Sequence, residues 1–517
     1  MRRHLIVYAA ALSTVLAGCA PGIAANPRFA TDAGARPQGQ PETTQAQAGP
    51  PPLEAPKNEL AWRDCTARVF RDAAVDPIPG VQLDCASYDA ELDPIAGAHG
   101  SVGIGVVRAR SVQTPRDAGP LVLTTGSDLP SSTQLPVWLS RAGADVLKTN
   151  PIVSVDRRGM GLSSAIDCRD PFDRQEMAEQ AQFGAGDDQV ANLAAIVQAA
   201  TTACTDAIAP GDSAYDNARA AADLERLRTV WDVPALALLG IGNGAQVALA
   251  YAGAHPDRVA RLVLDSPLPL GIGAETAAEQ RLRGEQAALD AFAAQCVAIN
   301  CPIAPDPKAA VDRLLTAARE GRGPGGASVA QVANAITTAL GYPRGDRTTV
   351  TNTVGGAVAA AEAGDNNPII NLINQAETLR DTDGQFVNGC SDALDRPTPD
   401  RVRELVVAWG KEHPQFGSVT ALDLVKCLHW PSGQAPAAPK DLDAPVLLLG
   451  VQNDPIAGNE GVSGVTATIL NAGTNSRRVM WQGIGHGAVI YSACALTPVI
   501  EYLTTGRLPD TDTFCPA

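Results

Sequence analysis

One passage constrains this chain more than any other: Ala235-Leu-Ala-Leu-Leu-Gly240-Ile-Gly242-Asn-Gly244-Ala245. An unbroken apolar run meets glycines at alternate positions, and a helical pattern follows to residue 254. This reads as a strand buried on both faces that turns sharply into a helix. Short apolar runs of the same kind recur at 101–107, 121–125, 152–156, 261–265, 446–451 and 477–481. Helical patterns separate several of them, as at 220–230. The alternation predicts an α/β fold, a mostly parallel sheet with helices on both faces and ligands at the strands' carboxyl ends.

A chain of 517 residues exceeds what one core usually serves. The stretch 269–440 breaks the strand–helix rhythm and reads as amphipathic helices. Leu282, Leu289, Phe292 and Cys296 share one face, and Val311, Leu314, Leu315 and Ala318 another. The expected organisation is a sheet domain in two parts, 59–268 and 441–517, with 269–440 as an inserted helical cap.

Arg2, Arg3 and His4 precede an apolar run over 5–17, the length of a secretory h-region and too short to span a bilayer. It ends in Leu16-Ala17-Gly18-Cys19, which resembles a bacterial lipobox. Residues 1–18 are thus expected to be a lipoprotein signal peptide, with Cys19 lipidated on the extracytoplasmic face of the cell membrane. Residues 19–58, rich in Pro, Ala, Gly, Gln and Thr, are expected to form a disordered tether with a reach of roughly 35 Å. Of eleven Cys, ten then remain, an even number suited to disulfides in an oxidising compartment.

A net charge of −16 argues against a nucleic-acid partner. No CxxC pair, HExxH or P-loop pattern occurs, so neither a metal nor a nucleotide cofactor is expected.

Two readings compete for the glycine turn. One is a dinucleotide fingerprint, G-x-G-x-x-A, with the acid Asp265 twenty residues beyond Ala245. The other is a nucleophile elbow, G-x-S-x-G, with Gly242 where the Ser should stand. Context favours the second. Asp156-Arg157-Arg158-Gly159-Met160-Gly161-Leu162-Ser163 closes an earlier strand. His255-Pro256-Asp257-Arg258-Val259 precedes the strand ending at Asp265. Asn453-Asp454-Pro455 follows a late strand, and Gly485-His486-Gly487 lies near the C-terminus. The order elbow, Asp, His is that of α/β-hydrolases.

With the Cys427-Leu-His429-Trp-Pro431 segment, these motifs make residues 60–517 resemble the secreted tripeptidyl-aminopeptidase-like (TAP-like) α/β-hydrolases of actinobacteria. The resemblance implies an α/β-hydrolase fold, with Asp454 and His486 in the acid and base positions. It also implies the disulfides Cys65–Cys85, Cys168–Cys204, Cys296–Cys301, Cys390–Cys427 and Cys494–Cys515. It places Gly242 at the nucleophile position, with no side chain to attack a carbonyl. Oxyanion donors would come from Asn243 and from the loop at Gly126 and Ser127. There a G-G-P-G-like turn is replaced by Thr124-Thr125-Gly126-Ser127-Asp128, and Asp128 would oppose an oxyanion.

The expected protein is therefore a catalytically impaired hydrolase that binds peptide or acyl ligands or envelope proteins. Gly242 would also relieve the strain of the elbow. His486 is expected to hydrogen-bond Asp454 and to face Gly242 across an empty space the size of a Ser hydroxymethyl. The alternative is a peptidase or esterase using Ser127, Ser131, Ser132 or water; a dinucleotide binder is more remote.

Overall fold

A computed structural model describes residues 51, 53–181 and 186–517. Cys19, the signal-like segment and most of the expected tether lie outside the described residues.

The described residues form a ten-stranded sheet. Its strands are β1 (Arg63–Asp64), β2 (Val81–Glu91), β3 (Ser101–Ser111), β4 (Leu121–Thr124), β5 (Ile152–Val155), β6 (Leu236–Ile241), β7 (Val259–Asp265), β8 (Val446–Asn453), β9 (Ser476–Ile484) and β10 (Thr513–Cys515). The spatial order is β1-β2-β3-β5-β4-β6-β7-β8-β9-β10. β3 is antiparallel to β2 and β5, whereas every pairing from β5 to β10 is parallel. After β4 the chain steps to one side for β5, then crosses to the other for β6. The switch point lies at the carboxyl ends of β4 and β6, where a doubly wound sheet opens a crevice. This order and the antiparallel edge are those of the α/β-hydrolase fold. β1, β2 and β10 went unread in the sequence; β2 is rich in polar residues and is defined by its long register on β3, from Val81↔Ser111 to Glu91↔Ser101.

Alternation along the buried strands feeds two cores. Leu236 and Leu238 pack with Leu224, Trp231, Ala248 and Tyr251 of the helices Asn217–Trp231 and Asn243–Ala254. Ala237, Leu239 and Ile241 face the other side, toward Trp138, Leu496 and Tyr502 of the helices Ser131–Leu139 and Ala493–Thr505. Such double burial explains why these strands read as continuous apolar runs.

The helices from Ala274 to Glu412, with shorter turns up to Cys427, share a separate core around Leu282, Phe292, Leu315 and Ile336. Two helices before residue 269, Pro171–Ala178 and Gln189–Ile208, join it through Met177, Leu193 and Val197. The helical layer therefore recruits chain that the expected boundary assigned to the sheet domain. The five disulfides link the pairs named above, Cys65–Cys85 through Cys494–Cys515.

Residues 54–58, which the expected tether included, are held against the folded chain. Glu54 bridges to Ala118, and the N–H groups of Lys57 and Asn58 donate to the Trp231 carbonyl. A polar, Pro-rich segment can be held this way by backbone pairing without an apolar face of its own.

Candidate functional site

Gly242 is the turn between β6 and the helix Asn243–Ala254, at φ 57° and ψ −122°. That left-handed conformation strains any L-residue, and glycine adopts it freely. Gly244 lies against the Thr124 carbonyl, so closely that a Cβ there would sit 2.0 Å from its oxygen. The glycines read from sequence thus let the helix start pack onto the end of β4.

Asp454 follows β8 and is fully buried. Its Oδ1 accepts the N–H of Ile456 at 2.9 Å and of Ala457 at 3.1 Å. Its Oδ2 lies 2.9 Å from His486 Nδ1. His486 follows β9 and is itself buried; its backbone N–H donates to Gly341 of the cap. Asp265, at the end of β7, accepts the N–H groups of Ala488 and Val489 at 2.9 and 2.7 Å. It therefore anchors the loop that carries His486. Burial pushes its carboxyl up to about 6, against the pull of those two N–H groups. This overturns the dinucleotide reading, in which Asp265 would be free for a ribose.

The structure brings Gly242, Asp454 and His486 to one place, but the space expected between Gly242 and His486 is filled. A Cβ on Gly242 would lie 1.9 Å from Asp128 Oδ2 and 2.4 Å from His486 Nε2. Asp128 reaches in from the loop after β4 and occupies the volume of the missing side chain. Its Oδ2 accepts the Asn243 N–H at 2.7 Å and lies 3.3 Å from His486 Nε2. The physical reason for the correction is charge: a buried imidazole and an unspent N–H together attract a carboxylate within reach.

The other oxyanion candidates are also engaged. Ser127 N–H donates to Asn243 Oδ1 at 2.9 Å, and Gly126 N–H contacts Thr124 Oγ1 at 3.3 Å. A Cβ on Gly126 would sit 2.2 Å from Asn243 Oδ1, which explains the glycine there. The candidate replacement nucleophiles are spoken for as well. Ser131 Oγ accepts the Thr125 N–H at 3.0 Å, and the Ser132 hydroxyl donates to Asp156 at 2.6 Å. Among the described residues, the group that meets His486 Nε2 is Asp128, not a hydroxyl.

His486 is thus an imidazole between two carboxylates. Burial opposes its charged form. The Asp454 charge and the hydrogen bonds to Asp128 and Asp454 outweigh that and raise its pKa to about 10. At neutral pH both ring nitrogens carry protons, so the ring has no lone pair with which to act as a base.

Sequence reasoning did not foresee the network behind Asn243. Arg157 donates to Asn243 Oδ1 at 2.5 Å, to Asp392 at 2.7 Å and to the Tyr215 carbonyl at 2.7 Å. Asp392 comes from the cap, so the cap helps orient the elbow. Beside it, Arg158 holds Asp223 through two hydrogen bonds at 2.6 and 2.8 Å. The signal for both arginines was the motif around Asp156, which pointed to a turn but not to its partners.

Residues 413–515 match the family model described as TAP-like protein. Serine protease Hip1 of Mycobacterium tuberculosis and of Mycobacterium bovis is 27% identical over 164 residues, 31% of this chain and 32% of that protein. The alignment thus spans about a third of those relatives' length. Among solved structures, an esterase variant covers 81% of this chain and 99% of its own at 12% identity and a TM-score of 0.42. A hydrolase from Pseudomonas aeruginosa covers 81% and 98% at 12% identity and a TM-score of 0.35. The chain is an α/β-hydrolase-fold protein whose residues 413–515 match the TAP-like model and which has a distant similarity to serine protease Hip1.

Proposed function

We propose that this protein is a non-hydrolysing relative of the serine peptidases and esterases built on this fold, one that binds ligands and does not cleave them. The observation that carries the reading is the Asp128 carboxylate in the place a nucleophilic Ser would fill. Three requirements of acyl transfer are opposed at once. No hydroxyl stands at Gly242, the Asn243 N–H is spent on an anion, and His486 holds its protons. Peptide or acyl ligands and envelope proteins are the proposed partners, through the cleft between sheet and cap.

The protein is further proposed to sit on the extracytoplasmic face of the cell membrane, lipidated at Cys19. The lipobox-like Leu16–Cys19 motivates this, and no described helix is long and apolar enough to cross a membrane. Replacing Cys19 by Ala should release the protein from membranes; unchanged fractionation with an unchanged N-terminal mass would reject the anchor.

The test of function is direct. The purified protein should resist labelling by a fluorophosphonate probe and should turn over neither nitrophenyl esters nor tripeptide amides. Turnover that disappears with His486→Ala would overturn the reading.

A further inference from the structure

A cavity of about 370 Å³ opens beside Asp128, between the sheet's carboxyl edge and the cap. Its volume is near the lower end of the range for small-ligand sites. The ionisable groups in its wall run against the charge of the whole molecule. The chain carries −16 overall, yet five cations and three carboxylates line this cavity.

The pairing of those charges is uneven. Asp423 serves both Arg281, at 2.9 Å, and Lys426, at 2.8 Å, and Glu285 lies 3.6 Å from Arg281. Asp381 is taken by Arg169 at 3.0 Å, and Asp128 by His486. Arg396 donates to neutral carbonyls, those of Ala393, Cys390, Trp430 and Pro431. Among the described residues, Arg380 meets a single neutral partner, the Thr338 hydroxyl, at 3.4 Å. Among the described residues neither guanidinium lies within 4.0 Å of a carboxylate, although Arg380 acts on the Glu285 carboxyl from farther off; both line a concave site, a setting in which the field of a cation is concentrated. Leu268, Phe386, Leu424 and Ile456 supply an apolar wall to the same space.

We propose that this cavity binds a monoanionic carboxylate ligand with a compact apolar body, its acid group held by Arg380, with Arg396 a second cation in the same wall. The inference deepens the binding reading above and rests on it. A guanidinium is suited to a carboxylate because its fork of N–H donors matches the two oxygens. The three wall carboxylates disfavour a more highly charged anion. A fatty acid and the C-terminus of a short apolar peptide share this chemistry.

Calorimetric titration of the unlipidated full chain tests the proposal. Decanoate is expected to bind about tenfold or more tighter than decanol or decylammonium, the margin of a charge-assisted pair. Arg380→Gln should reduce that preference to within about threefold while leaving the unfolding temperature unchanged. Arg116→Gln, an exposed arginine away from the cavity, should keep it. An Ala-Ala-Leu peptide compared as acid and as amide separates the sources. Preference for the peptide acid assigns the site to peptide C-termini, and preference confined to decanoate assigns it to fatty acids. Equal affinity for decanoate and decanol, no binding of either acid, or a preference that survives Arg380→Gln would overturn the proposal. Decanoate and decanol hold no hydrolysable bond, so this result stands apart from the test of hydrolysis. Cleavage of the peptide would count against the non-hydrolysing reading instead.

Discussion

The Asp128 carboxylate lies 2.7 Å from the Asn243 backbone nitrogen and 3.3 Å from His486 Nε2, with the same oxygen serving both. One N–H that would steady an oxyanion and the ring nitrogen that would take a proton are thus held by an anion from the chain itself. The site resembles a hydrolase with a product acid left in place, except that the acid is covalently part of the protein.

Gly242→Ser alone should not create an enzyme. The new Cβ would lie 1.9 Å from Asp128 Oδ2, at a φ of 57°. Overpacking and backbone strain together should destabilise the protein by about 2–4 kcal/mol. The double variant Gly242→Ser, Asp128→Gly removes the clash with Asp128 and frees the Asn243 N–H, and leaves only the His486 ring, 2.4 Å from the new Cβ, to shift. It should recover part of the stability and acquire weak fluorophosphonate labelling. Denaturant unfolding and probe labelling check both; a single variant as stable as the parent would refute the packing argument.

Stability should fall as the solution becomes alkaline. The pKa of His486 is raised from 6.5 to about 10 in the folded state, because two carboxylates outweigh burial. A raised pKa stabilises the fold fully below about 6.5, and that stabilisation is lost as pH climbs toward 10. Each pH unit in that window should remove up to about 1.4 kcal/mol. Asp128→Asn, with one anion fewer, should flatten the slope. Urea unfolding at pH 6, 8 and 9.5 measures it, and equal slopes for the two proteins would exclude Asp128 as a partner.

Small carboxylates should replace a missing Asp128. Asp128→Ala leaves the Asn243 N–H without its acceptor and the imidazolium with one carboxylate, at a cost of about 1–3 kcal/mol. Acetate or formate should then raise the unfolding temperature of this variant, and chloride at equal ionic strength should not. The parent protein should ignore both. Failure of acetate to act specifically would show that the pocket does not select a carboxylate.

Arg158 should tolerate no substitution, lysine included. It is fully buried, paired to Asp223 and donates to the carbonyls of Leu92 and Ala214. Arg158→Met strands a buried carboxylate and should cost about 3–5 kcal/mol. Arg158→Lys loses the fork geometry and should recover little of it. Thermal unfolding gives the answer, and a shift of less than a few degrees for Arg158→Met would contradict the pairing.

Much of this molecule was legible in its residues. The apolar runs of β4 to β8 are local signals, because strands buried on both faces are apolar at most positions, Ser154 and Arg261 being buried exceptions. The glycines at 240, 242 and 244 signalled a close strand–helix crossing, and the motif order suggested that Asp454 and His486 would approach Gly242. The path of Asp128 was not legible to the same degree. Its sequence position pointed to an unfavourable charge near the site, but only the packing of the β4 loop against the elbow put that charge where a serine side chain would stand. The protonation of His486 follows from three groups, Asp128, Asp454 and His486, that are hundreds of residues apart except for the last two. The cap's share of the site, through Asp392 and Gly341, and its recruitment of the helices at 171–208 likewise depend on contacts between distant segments. Local pattern determines which elements form and how they turn, since it acts through backbone geometry and burial over a few residues. Charge balance in a buried site is decided by distances in three dimensions, and those exist only once the chain has folded.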